Sequence, residues 1–377
     1  MRFIAAVLVF LFHAGFQGVF ASPDVAGAFS SVVSGGGWTG VGFFFVLSGF
    51  VLTWSVRRDD TAPRFWRRRF FKIYPNHLLT FVVAFLLLTF VSQQVIAPGN
   101  AVFNLLLLQA WFPPLEMNQT VNTVSWSLSC ELLFYLAFPL LIRVVGRIRD
   151  ERLWLWAGAV IAVIVALPLV AAALPDQPAL PWTQAYSQPQ WWLVYVFPLS
   201  RTLDFVFGML LARLVQTGHR IPLGLGGAAV LTVVAYAVAP LLPGTFPLVA
   251  VAIVPLGLLI AAGAVADVNG RSTWLSGRTM VWLGEISFAF YLWHRLVLVY
   301  GDQWIFRNGS FGTPVAIAVL LALFGITVLV SWLVFSLFER PIMRRFAGSR
   351  RSDATGAGTV ASQPPLPNVA PGAGIGD

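Results

Sequence analysis

A chain of 377 residues with 58% hydrophobic and 10% charged residues, at a mean hydropathy of +0.79, reads as a polytopic membrane protein and not as a soluble domain. Its single cysteine, Cys130, excludes an internal disulfide and any multi-cysteine metal site, and no metal is expected. A formal charge of +9 invites nucleic acid as a partner, but the placement of the basic residues argues against it.

Apolar stretches predict an all-α integral membrane protein of about ten spans, near 3–20, 38–56, 76–96, 123–143, 153–174, 192–212, 222–240, 245–265, 280–300 and 314–338. With both termini cytoplasmic, all 24 Lys and Arg fall on the cytoplasmic side except Arg201 and Arg295, inside spans, and Arg307, in an outer loop. The basic charge is thus a topology signal; a lipid bilayer is the expected partner, and nucleic acid is not. Residues 1–346 form the expected membrane domain. The Gly, Ala and Pro-rich remainder, 347–377, reads as a disordered cytoplasmic tail. The outer stretch 175–189 is Pro-rich and expected as an irregular lid, and 97–122 as a half-inserted segment.

The first span carries Arg2 and His13 in an otherwise apolar run. Eleven residues are three helical turns plus about 20°, so the two share a face, with the imidazole about 16 Å above the arginine. A histidine at that depth costs free energy unless it is paired or used, and it marks a functional site by default. Two other readings stay open: a signal peptide cleaved near Phe20-Ala21-Ser22, and a packing histidine bonded to a neighbouring backbone.

The next loop, Arg57 to Lys72, carries seven positive charges interleaved with aromatics. A positive-inside loop attracting anionic lipid explains the count. Arg69 and Lys72, three apart on one helix face, point further, to a phosphate-bearing anion entering from the cytoplasm. The fourth span places Glu131 about 12 Å inside its outer boundary, close to the expected depth of His13. A lone intramembrane carboxylate is expected to face a cavity or a partner. On the sixth span Arg201 and Asp204, again three apart, are either an internal ion pair or catalytic. The ninth span brings Glu285, His294 and Arg295. Polar groups from several spans at similar depth imply a cavity within the bundle.

These residues carry a resemblance to the acyltransferase 3 family of multi-pass membrane acyltransferases. Its Arg-x10-His stands here as Arg2 and His13, and its Phe-Phe-x-Leu-Ser-Gly-Phe as Phe44 to Phe50. Its Arg-x-x-Arg-Ile-x-Pro runs from Arg69 to Pro75 with Lys72 for the second arginine, and its Trp-Ser-Leu-x-x-Glu-x-x-Phe-Tyr from Trp126 to Tyr135. The late Tyr-Leu-x-His is Tyr291 to His294, and the closing Glu-x-Pro is Glu339 to Pro341. Six motifs in order, across all the spans, make the resemblance specific. The motif runs are similar to those of stand-alone actinomycete enzymes that O-acylate macrolides and other glycosylated metabolites, and the scarcity of lysine fits a high-GC genome.

The resemblance implies a protein of the bacterial cytoplasmic membrane that moves an acyl group from acyl-CoA to a hydroxyl of a glycosylated acceptor. Arg2, Ser48, Arg69, Lys72 and Tyr74 would hold the acyl-CoA. His13 would act as general base, with Glu131 or Asp204 orienting its imidazole as the third member of a triad does. Trp126, Arg201 and His294 would contact the acceptor. Two features depart from the family's pattern. Lys72 offers a point charge where a planar fork is usual, and Arg2 follows the first methionine directly, which leaves a start further upstream open. An envelope glycan is the alternative acceptor. A transporter or flippase is the alternative class, since midplane charges also line transport paths.

Overall fold

In the computed structural model, residues 1–56, 60–271 and 273–347 are described. The expected tail beyond Ala347 and the start of the basic loop, Arg57 to Asp59, lie outside them. In chain order, α1 (Arg2–Ala14), α2 (Pro23–Val33) and α3 (Gly36–Trp54) lead into α4 (Ala62–Leu86), which runs on through π turns at Leu87–Val91. The short α5 (Pro98–Leu105) and α6 (Leu115–Asn118) precede α7 (Trp126–Gly146) and α8 (Leu153–Ala171). An antiparallel hairpin of β1 (Ala179–Leu180) and β2 (Thr183–Ser187) is followed by α9 (Gln188–Trp191), π turns at Trp192–Val196, and α10 (Pro198–Gln216). Then come α11 (Leu225–Val238), α12 (Phe246–Val249), α13 (Ile253–Val268) and α14 (Arg278–Leu296), which continues as π helix through Phe306. The chain closes on α15 (Thr313–Val334), π turns at Phe335–Glu339 and α16 (Arg340–Ile342).

Seven helical stretches among the described residues are long and apolar enough to cross a membrane. Three of the ten expected spans are not among them. Helix α1 and the stretch Leu225–Leu241 are apolar but short, and α14 carries Glu285, His294 and Arg295. At 13 residues α1 is about 20 Å long, less than the roughly 30 Å of a hydrocarbon core. It stops at Ala14 because the chain turns there, through Gly18 at a φ of +68° that a side chain would strain. Backbone hydrogen bonds then tie Ala21 and Val19 to Phe311 (2.9 and 2.8 Å), and the Ser22 hydroxyl caps α2. Phe3, Ala6 and Phe10 of α1 are buried against α14 and α15, so α1 belongs to the core of the bundle.

Helix α3 is the central element, packed on α1 and most extensively on α10. The approach is close because both contacts run through glycine. A Cβ at Gly36 or Gly40 would meet the Leu8 or Ala5 carbonyl oxygen of α1; one at Gly49 or Gly208 would overlap the backbone of the facing helix across the α3–α10 contact. Small residues at helix contacts are how bundles gain dispersion contact where lipid removes the hydrophobic incentive. The lid at 175–189, expected as irregular, carries the hairpin, while 97–122, expected as a half-inserted segment, carries the short helices α5 and α6. Likewise, the basic segment from Ala62 onward is not a loop but the first turns of α4, with Pro63 at its start.

Candidate active site

Two chambers lie in series along α1. The first, about 100 Å³, is basic: Arg2, Arg69 and Lys72 line it together with Ser48 and Glu131. The helical period explains this convergence, since Arg69 and Lys72 are three apart on α4. The Arg69 guanidinium lies 5.5 Å from the Phe65 ring and 5.8 Å from the Tyr135 ring, and its Nε has no hydrogen-bond partner among the described residues. Tyr135 donates its hydroxyl to Glu131 (2.9 Å). Lys72 forms an ion pair with the buried Glu339, which also accepts from Asn76 Nδ2 (3.3 Å). Asn76 in turn accepts from Trp293 Nε1 (3.2 Å), so one polar chain ties α4, α14 and the C-terminal helix together. With Glu339 offsetting Lys72, the chamber keeps Arg2 and Arg69 against the one carboxylate of Glu131, an anion-favouring balance.

The second chamber, about 310 Å³, is aromatic and contains His13. Trp38, Trp126, Trp182, Trp191 and Tyr195 line it. Val41 and Tyr291 line both chambers and form the partition between them. The Tyr291 hydroxyl is held there by hydrogen bonding with the Ser127 hydroxyl (2.8 Å) and the Val124 carbonyl (3.1 Å). Asn122 adds a bond to the Leu292 carbonyl (3.1 Å). The Trp126–Tyr135 and Tyr291–His294 motifs are thereby locked to each other. Arg2 and His13, both on α1, open into consecutive chambers.

His13 Nδ1 lies 2.9 Å from the Val9 carbonyl and 3.1 Å from His294 Nε2. His294 Nδ1 lies 2.6 Å from the Tyr291 carbonyl, so it carries the proton it donates there and leaves Nε2 as an acceptor. The hydrogen on His13 Nδ1 is therefore shared between Val9 and His294, and His13 Nε2 keeps a free lone pair. This tautomer is assigned from the partners.

Several expected site residues fall elsewhere. Neither Glu131 nor Asp204 is a hydrogen-bond partner of His13; the side chain at that position is His294, which was expected to touch the acceptor. His294 is fully buried behind His13 and lines neither chamber. Glu131 lies five residues beyond Trp126 on α7, about 7 Å further along, and so opens into the basic chamber and not beside the imidazole. Arg201 and Asp204 form an internal ion pair, 2% and 1% exposed, with the guanidinium over the rings of Phe45 (5.2 Å) and Tyr195 (5.6 Å). They sit where α10 presses on α3 and line neither chamber, a placement that suits an internal ion pair. Tyr74 stacks on Phe70 at 4.8 Å and also lines neither. Trp126, expected to contact the acceptor, lines the chamber of His13. Sequence reasoning missed Glu339 as the partner of Lys72, although its motif was legible. Among the described residues there is no group of three or more His, Cys, Asp or Glu that could hold a metal.

A family model described as an acyltransferase domain matches residues 1–336. The chain belongs to the acyltransferase 3 family of membrane acyltransferases. It is 37% identical to acyltransferase MdmB of Streptomyces mycarofaciens, over 97% of this chain and 95% of that protein. It is 27% identical to the exopolysaccharide production protein ExoZ of Rhizobium meliloti, over 86% of this chain and 95% of that protein. To the peptidoglycan O-acetyltransferase OatA of Listeria monocytogenes it is 22% identical, over 70% of this chain and 45% of that one. No solved structure matches.

Proposed function

We propose that this acyltransferase moves a short acyl group, acetyl first among them, from acyl-CoA to a hydroxyl of a glycosylated acceptor, a macrolide or a similar metabolite. The observation that carries the reading is His13. Its Nδ1 is tied down, its Nε2 is free, and it stands one partition away from a chamber with an excess of positive charge. The phosphates of CoA bind at the basic end, where Arg2, Arg69 and Lys72 offer charge-assisted hydrogen bonds. The narrow basic chamber suits a thin pantetheine arm, and the wider aromatic chamber suits the acceptor.

The acceptor hydroxyl donates to His13 Nε2 and attacks the thioester carbonyl carbon as Nε2 takes its proton. The C–S bond breaks, the ester C–O bond remains, and the imidazolium returns the proton to the departing CoA thiolate. General-base assistance of this kind is worth about 10²- to 10⁴-fold. His294 keeps the imidazole in the productive tautomer, the part a carboxylate plays in a triad.

The macrolide acceptor is supported by the motif resemblance and by the extent of the likeness to a Streptomyces acyltransferase. The names of ExoZ and OatA support a glycan in its place. We read the protein as one membrane domain over residues 1–346, in the bacterial cytoplasmic membrane. The seven long spans, with α1, 225–241 and the helix 278–306, make ten, and the basic end and both termini face the cytoplasm. Purified protein in detergent, given labelled acetyl-CoA and a glycosylated macrolide, should yield a labelled ester. Absence of both ester formation on every hydroxylated acceptor tried and acyl-CoA binding would overturn the reading.

A further inference from the structure

The aromatic chamber has a second neighbour. Arg295, Gln119 and Thr123 line both it and an adjoining cavity of about 580 Å³ that reaches away from the basic end. Each of the three has a buried polar atom with no hydrogen-bond partner among the described residues: Arg295 Nη1, Gln119 Nε2 and Thr123 Oγ1. All three can donate, and they converge on one opening. Unpaired buried donors are costly, and three gathered at a cavity mouth point to an oxygen-rich ligand that pairs with them. Helix α14 turns from α to π immediately after Arg295 and Leu296, a distortion that is frequent at functional sites. Arg295 has no carboxylate in salt-bridge contact among the described residues, so its charge is left for a ligand oxygen. The same chamber is lined by Trp38, Trp126, Trp182 and Trp191. Flat aromatic faces together with hydrogen-bond donors fit a sugar ring, which has apolar faces and an equator of oxygens.

We propose that Arg295, Gln119 and Thr123 form the subsite that grips the sugar of the acceptor and presents one of its hydroxyls to His13, with the adjoining cavity as the entrance. This rests on the transferase reading above and assigns the part of the site that selects the acceptor. These residues hold substrate equally before and during transfer, so their loss appears in the acceptor KM.

The test titrates the detergent-solubilised full chain with a glycosylated macrolide and with its sugar-free aglycone, following tryptophan fluorescence. Initial rates with labelled acetyl-CoA are measured alongside. The wild type should bind the glycoside at least about 10-fold more tightly than the aglycone, as paired polar groups discriminate. Gln119→Leu, Thr123→Val and Arg295→Gln should each erase most of that preference and raise the acceptor KM about 10- to 100-fold, leaving the acyl-CoA KM in place. Three separate positions keep the test decisive where one variant fails to fold. Unchanged acceptor KM values in the folded variants, or equal binding of glycoside and aglycone by the wild type, overturn the subsite while transferase activity stands. Glycoside binding lost in the variants of a protein that transfers nothing supports the subsite and refutes the transferase reading.

Discussion

Replacing His294 by Phe separates an orienting histidine from a reacting one. The His294 ring already stacks on Phe290 (centroids 6.3 Å apart, 11° between planes), so a phenyl ring of similar size fits the position. What disappears at His13 is the Nε2 acceptor, 3.1 Å from its Nδ1, along with the His294 Nδ1 bond to the Tyr291 carbonyl behind it, while the Val9 carbonyl at 2.9 Å still holds the His13 hydrogen. A net hydrogen bond is worth about 0.5–1.5 kcal/mol, and 1.36 kcal/mol is tenfold in rate. We therefore expect kcat to fall about 2- to 10-fold with both KM values held. The ceiling is the loss of the base itself, about 10²- to 10⁴-fold. Initial rates of labelled ester formation over a range of both substrates give the comparison. A loss as large as that of His13→Ala would mean that His294 itself handles the proton. An unchanged kcat would mean that it orients nothing.

Other substitutions probe the remaining parts. Arg201→Met leaves Asp204 charged and unpaired in the core, and breaking such a pair costs about 3–5 kcal/mol; thermal unfolding in detergent should fall by several degrees with little change in either KM, whereas a stable but inactive variant would return the pair to catalysis. Arg69→Gln should raise the acyl-CoA KM about tenfold and flatten its salt dependence, leaving the acceptor KM alone; an acceptor effect would contradict the assignment of the basic chamber. Gly49→Val should prevent correct packing of α3 on α10, since its side chain meets the Phe205 carbonyl, and a wild-type Tm would refute that reading.

Much of this architecture was legible because it follows local periods. The eleven-residue step from Arg2 to His13 and the three-residue step from Arg69 to Lys72 place side chains on faces whatever the rest of the chain does. The pairings across the bundle were not legible, because they join residues far apart in sequence. His13 meets His294 and Lys72 meets Glu339 only once α1, α4, α14 and the C-terminal turns are packed. Arg201 and Asp204 show the limit most plainly. Their spacing is equally good for an internal pair and for a reactive one, and it does not reveal that both side chains are buried where α10 packs on α3. Helix ends were similarly hidden. The apolar run of the first span continues past Ala14, but Gly18 and the pairing with Phe311 turn the chain there.

The most direct measurement is turnover by purified His13→Ala with labelled acetyl-CoA, a glycosylated acceptor and a parallel acyl-CoA binding titration. We expect ester formation to fall about 10²- to 10⁴-fold while acyl-CoA still binds with wild-type affinity. Transfer at the normal rate by a folded His13→Ala protein would contradict the assignment of His13 as the base.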